Sequence, residues 1–221
     1  MTELEGARRE IVDVARRAAA DRLVVGTAGN ISVRQGDHVL VTASGAVLES
    51  MTEHHVVAVD LAGSLVDGEV EPTSELDLHL RLHRDGVAGA VVHTHAPAGT
   101  AIGLVLDELP VIHYQQLLLG GAIRVAPYAT FGTPELAAAV QEALRDRQAA
   151  LMANHGSVAI GATLATALDN ALLLEWLCRV RLDAAALGTP RVLTDEQQAA
   201  VIEAATSRKY GEVTTVPSEK E

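Results

Sequence analysis

With 221 residues and 48% hydrophobic content, the chain can bury a sizeable core, which excludes overall disorder and predicts one domain with at most a C-terminal appendage. A formal charge of −12, with no basic cluster interleaved with aromatics, excludes nucleic acid as a partner. No apolar run approaches the roughly 20 residues of a membrane span, the acid–arginine alternation from Glu3 to Arg17 is unlike a signal or transit sequence, and the single Cys178 permits no intrachain disulfide, so the expectation is a soluble, cytoplasmic protein.

Residues 3–25 carry Leu4, Ile11, Ala15, Ala19 and Leu23 at near-helical spacing with charge on the other face, which predicts an amphipathic helix stopped by Gly26. A Gly/Asn loop at 26–30 then feeds a hairpin with strands at 31–33 and 39–41, and Thr42-Ala43-Ser44-Gly45 forms a second small-residue loop at its far end. Strands are predicted at 56–60 and 64–66. His38 in the hairpin turn and the adjacent His54 and His55, which would point to opposite faces of a strand, read as surface residues.

From Glu75 to His83 the leucines at 76, 78, 80 and 82 alternate as in a strand, but no β-branched residue is present, Pro72 lies just upstream, and Ser74 with Asp77 resembles a capping box. The segment is therefore assigned as helix, with Glu75 in the positive first turn. His79 and His83, four apart, have metal-binding spacing but interleave with core leucines and lack the glutamate of the zincin pattern.

The stretch Val91-Val92-His93-Thr94-His95 carries the strongest chemical signal. In a strand, His93 and His95 share a face and their imidazoles converge near the strand end that Ala96-Pro97 imposes. A catalytic zinc needs at least one further protein ligand and keeps a position open. Further on, a helix is predicted at 97–106, strands at 111–114 and 122–126, and a helix from Pro134 to Arg147 capped by Thr133. Strands at 149–153 and 157–160 flank Asn154-His155-Gly156, which places a third histidine at a strand end. Helices at 162–187 and 194–207 finish the fold, and 211–221 reads as a charged, flexible tail beyond a domain at 1–210. The expected fold class is α/β, a three-layer-like sandwich with a mostly antiparallel central sheet flanked by helices. A glutamate after His-x-His, as in cupins, and the Asp-His continuation of β-lactamase-like hydrolases are both absent.

Five motifs in order, Gly26-Thr27-Ala28-Gly29-Asn30-Ile31-Ser32, Thr42-Ala43-Ser44-Gly45, Pro72-Thr73-Ser74-Glu75, His93-Thr94-His95 and Asn154-His155-Gly156, resemble the class II aldolase/adducin family from the first helix to about Tyr210. The resemblance implies Zn2+, or another divalent transition metal, held by His93, His95 and His155 with Glu75 as a fourth, displaceable ligand that serves as acid/base. It further implies cleavage of a ketose 1-phosphate to dihydroxyacetone phosphate and a small aldehyde, the metal stabilising the enediolate charge as a Lewis acid. Gly29, Asn30, Thr42, Ser44, Gly45, Thr73 and Ser74 correspond to the phosphate pocket, Thr73 standing where a serine is common. Tyr114 resembles a tyrosine that reaches a neighbouring subunit's site in a homotetramer, and Phe131 and Tyr210 match positions on the aldehyde side. Ribulose-5-phosphate 4-epimerases share fold and metal but carry Asp in place of Glu75. Methylthioribulose-1-phosphate dehydratases keep the ligands and an acid, whereas non-catalytic adducin-like modules lose the metal histidines.

Overall fold

The computed structural model describes residues 3–208, and the assignments made to Tyr210 and to the tail at 211–221 lie outside them. Nine strands join in one sheet: β1 (Asn30–Gln35), β2 (His38–Thr42), β3 (Val56–Asp60), β4 (Leu65–Asp67), β5 (Ala90–Thr94), β6 (Glu108–Leu109), β7 (Ile123–Ala126), β8 (Ala149–Met152) and β9 (Ser157–Gly161). Their order is β4-β3-β2-β1-β5-β9-β8-β7-β6, antiparallel except where β7 runs parallel to β8.

Two helical layers cover this sheet. On one face α1 (Glu3–Ala20), α3 (Pro97–Gly103) and α5 (Leu164–Leu187) pack on Ile31, Val33, Leu40, Val92 and Leu151. On the other, α2 (Leu76–Arg84) and α4 (Pro134–Ala143) pack on Val91, Ala150, Val158 and Ile160. The alternation of the strands between the two clusters follows from the period-2 pleat, and it makes the expected three-layer α/β sandwich. The last helix, α6 (Asp195–Arg208), lies against a 3-10 turn at Tyr114–Leu119.

Several boundaries depart from sequence expectation, each for a local reason. Helix α1 stops at Ala20 rather than near Gly26, because Arg22 takes a left-handed conformation (φ 61°) and Leu23 N–H closes back on Ala18 O at 2.9 Å. Helix α3 ends at Gly103, and α4 ends at Ala143 instead of Arg147, where Asp146 turns left-handed at φ 58°. Residues 111–114 do not form a strand. The buried Gln116 donates to Leu109 O and Pro110 O and accepts from Ile112 N–H, replacing the partners a sheet would supply. Ser74 does not cap α2. Glu75 occupies that position with its side chain turned away from the cap. His54 is exposed, and His38 and His55 are half-buried.

Candidate metal centre

Three backbone devices bring the ligands together. Alternation along β5 sends Val91 and His93 to the α2 side, and His95 leaves the strand end with its N–H held by Leu23 O at 3.0 Å. The β8–β9 turn carries His155. In it, Asn154 adopts φ 56°, a conformation Asn tolerates better than most side chains, and Gly156 presses so close that a Cβ would stand 2.2 Å from Thr94 O. Only glycine permits that approach, which follows from the pairing of Thr94 with Ser157. Finally, Glu75 enters from the start of α2, its N–H received by Thr73 Oγ1 at 3.3 Å.

One ligand atom from each of Glu75, His93, His95 and His155 lies within 4.8 Å of all the others. His93 Nδ1 stands 2.9 Å from Ser157 O. A carbonyl only accepts, so the ring proton sits on Nδ1 and the lone pair on Nε2. That lone pair faces Glu75 Oε2 and His95 Nε2, each at 3.0 Å. His155 Nε2 lies 3.5 Å from Glu75 Oε1, a buried oxygen without a hydrogen-bond partner. A carboxylate and ring nitrogens converging in this way suit a cation between them, and separations of 3.0–3.5 Å lie near the roughly 3.3–3.6 Å edges of a tetrahedron with zinc-like bond lengths. The donor set therefore fits a divalent metal.

The electrostatics agree. Burial, reinforced by the neighbouring His93 and His155 rings, pushes His95 down to about 4, and burial likewise lowers His155, so both present neutral nitrogens near pH 7. Burial alone would raise the Glu75 carboxyl. The adjacent His93 and His155 rings, together with the hydrogen bond from Asn30, outweigh burial and keep the group below the usual carboxylate range.

These ligands floor an open cavity of about 490 Å³. Gly29, Asn30, Ser44, Gly45, Thr73 and Ser74 line it, the two loops being joined by a bridge between Ala43 and Pro72. Gly29 has φ 99°, and a Cβ there would meet Val24 Cγ1 at 2.8 Å. Thr42 does not line the cavity. Its buried hydroxyl accepts from Ile31 N–H at 3.2 Å. Asn30 spends both ends of its side-chain amide inside the protein, donating to Glu75 Oε2 at 3.0 Å and meeting His79 Nε2 at 2.5 Å. Tyr128 and Phe131 form an exposed rim, and Gly132 packs on Ser74 so tightly that a Cβ would stand 2.7 Å from its carbonyl oxygen. Tyr128 carries no sequence signal beyond the scarcity of aromatics. Within this chain Tyr114 lines a different groove, beside Leu118 and Ile202, with its ring 4.5 Å from that of His113.

A carboxylate and three imidazoles converging at the floor of an open cavity form a group that could hold a metal ion. The chain belongs to the class II aldolase and adducin family: residues 9–182 match the Class II Aldolase and Adducin N-terminal domain. It is similar to the L-fuculose phosphate aldolase of Escherichia coli K12, 40% identical over 198 residues covering 88% of this chain and 92% of that one. It is also similar to a Rhodospirillum rubrum 5-methylthioribulose-1-phosphate/5-deoxyribulose-1-phosphate aldolase, 36% identical over 96% of this chain and 95% of that protein. A solved L-fuculose 1-phosphate aldolase superposes with a TM-score of 0.87 at 30% identity, over 93% of this chain and 98% of that one. Its family and relatives place the chain among metal-dependent aldolases, and Glu75, His93, His95 and His155 could hold the metal.

Proposed function

We propose that the protein reversibly cleaves a ketose 1-phosphate of the L-fuculose 1-phosphate type to dihydroxyacetone phosphate and a small aldehyde such as L-lactaldehyde, with Zn2+ as its metal. The observation that carries this reading is Glu75, whose carboxylate is held among His93, His95 and His155 and faces a cavity lined by Ser44, Gly45, Thr73 and Ser74. A divalent cation bound there supplies Lewis-acid stabilisation of the negative charge that develops as the carbon–carbon bond breaks.

The remaining work falls to side chains and backbone. Ser44, Thr73 and Ser74 offer hydroxyls, and Gly45 at φ 73° offers a close backbone, to receive the phosphate. Cleavage between C3 and C4 turns the C4 hydroxyl into the aldehyde, its proton passing to the group at that oxygen, and leaves an electron pair on C3 beside the C2 carbonyl. Glu75, once it has taken up a proton from solvent, delivers that proton to C3. In the synthetic direction its carboxylate removes the same proton. Tyr114, lying far from the cavity in its own chain, is assigned to the aldehyde oxygen of a neighbouring subunit's site in a homotetramer, and Phe131 to the aldehyde side. Among the described residues no helix is long and apolar enough to cross a membrane, which accords with a cytoplasmic enzyme.

A second substrate class merits equal testing. The relative that spans 96% of this chain is named for 5-methylthioribulose and 5-deoxyribulose 1-phosphates, and the exposed Tyr128 and Phe131 rim accommodates an apolar substituent on the aldehyde. The test is release of dihydroxyacetone phosphate by zinc-loaded protein from L-fuculose, 5-deoxyribulose and 5-methylthioribulose 1-phosphates, with and without chelator. Chelator-sensitive release supports the aldolase reading and the preferred sugar names the aldehyde. Metal retention without release from any of them would favour the epimerase or dehydratase chemistry instead.

A further inference from the structure

The two histidines of α2 that the metal centre leaves unused are fully buried, each at 0% exposure. They share a stripe with the acid/base, since Glu75, His79 and His83 are four residues apart. Across from them β1 turns Asn30 and Ser32 to the α2 side while Ile31 and Val33 enter the opposite core.

The side chains form one unbranched chain. His83 Nδ1 lies 3.1 Å from Ala88 O, and His83 Nε2 is 2.7 Å from Ser32 Oγ. Ser32 Oγ is 2.6 Å from His79 Nδ1, His79 Nε2 is 2.5 Å from Asn30 Oδ1, and Asn30 Nδ2 donates to Glu75 Oε2 at 3.0 Å.

The protons nearest Glu75 are fixed from that end. An ionised carboxylate only accepts, so Asn30 turns its NH2 to Glu75 and its oxygen to His79. His79 must then carry its proton on Nε2 and accept from Ser32 O–H at Nδ1. Burial lowers His79 to about 3 and His83 to about 4, opposing a second proton on either ring, while the Ala88 carbonyl works against burial at His83. His83 Nδ1 faces Ala88 O at 3.1 Å, and a carbonyl only accepts, so this contact asks for a proton on Nδ1 and the far end of the chain is not fixed from Glu75. An apolar side chain at 79 would leave Asn30 Oδ1 and the Ser32 hydroxyl buried without the partner His79 gives them. Nor could a leucine orient Asn30.

We propose that His79, backed by Ser32 and His83, is a positioning residue for the acid/base: it locks the Asn30 amide so that Glu75 Oε2 is tied down and Oε1, which has no hydrogen-bond partner, is the oxygen that carries the proton. The proposal rests on the reading of Glu75 as the acid/base. In zinc-loaded protein, His79→Leu is expected to lower kcat about 10–100-fold with KM changed less than about twofold and metal content unchanged. His79→Gln, whose amide N–H reaches the position of ring Nε2–H, restores most of that loss. His79→Asn, whose amide reaches only the Nδ1 position, does not, and the Gln/Asn pair decides the matter should the leucine variant fail to fold. Independently of turnover, the imidazole nitrogen chemical shifts of the unaltered zinc-loaded protein are expected to report Nε2–H and bare Nδ1 at His79. Wild-type kcat in His79→Leu, equal kcat in the Gln and Asn variants, or Nδ1–H at His79 would overturn the proposal. If the unaltered protein turns over no ketose 1-phosphate, the aldolase reading fails, and the His79 tautomer alone decides whether the relay exists.

Discussion

Two groups of histidines lie on the same side of the sheet and are governed by opposite rules. At the cavity floor, the Nε2 atoms of His93 and His95 face one another at 3.0 Å, and at most one of them can carry a proton. Under α2, both ring contacts of His79 pair a donor with an acceptor. Lone pairs that converge call for a cation, whereas lone pairs that alternate with N–H and O–H groups hold a geometry. Residue type and burial do not separate the two groups, because His93 is as buried as His79. The direction of each hydrogen bond does.

The largest expected effect belongs to the convergent group. His93→Ala removes one imidazole and should abolish tight metal binding and lower kcat/KM by about 1,000-fold or more, the several kcal/mol a Lewis acid supplies. Elemental analysis beside turnover checks it, and a metal-free, fully active variant would erase the distinction between the groups. Glu75→Gln keeps fold and metal and should lose about 100- to 10,000-fold in kcat. Normal turnover in that variant would remove Glu75 from the chemistry.

A backbone substitution sharpens the same comparison. In Gly156→Ala the new Cβ must push Thr94 O away from its 2.2 Å approach. That displaces His155, so the variant should unfold in urea with about 2–4 kcal/mol less stability and bind zinc about tenfold more weakly. Unchanged zinc affinity would mean that His155 does not depend on this close packing.

The smallest expected effect is on the pH dependence of stability. An unfolded histidine takes up a proton near pH 6.5, but the fold refuses it until about 4 at His83 and about 3 at His79, in both cases chiefly because of burial. The unfolded state therefore binds more protons between these limits. Stability is fully present above about pH 6.5 and falls with acidification by about 1.4 kcal/mol per pH unit for each ring. His83→Gln should flatten that slope by one ring's share in urea titrations from pH 7 to 5, and an unchanged slope would place the linkage elsewhere.

Most of the convergent group was legible in the sequence, and the relay was not. His93-Thr94-His95 announces itself because two residues two apart on an apolar strand must point together, and Asn154-His155-Gly156 interrupts a strand in a way only a turn explains. The layers were legible in part because Ile31 and Val33 alternate with polar residues along β1, whereas the apolar residues of α4 do not alternate. His79 and His83 looked like exceptions within a leucine helix, since their partners, Asn30 and Ser32, stand 47 residues or more away from the rings they meet. The readable sign was the four-residue spacing from Glu75 set against two polar residues alternating with Ile31 and Val33. The missing strand at 111–114 was illegible for a similar reason: apolar β-branched residues predict burial, but one buried side chain, Gln116, took the place of a neighbouring strand.

The central claim is that Glu75, set among the three histidines, moves a proton at carbon. Its most direct test needs no knowledge of the aldehyde: zinc-loaded protein is incubated with dihydroxyacetone phosphate in deuterated water, and the C3 hydrogens are followed by NMR. The account predicts exchange of one of the two hydrogens, lost in Glu75→Gln and on chelation. Absence of exchange in the metal-loaded protein, or undiminished exchange in Glu75→Gln, would contradict it.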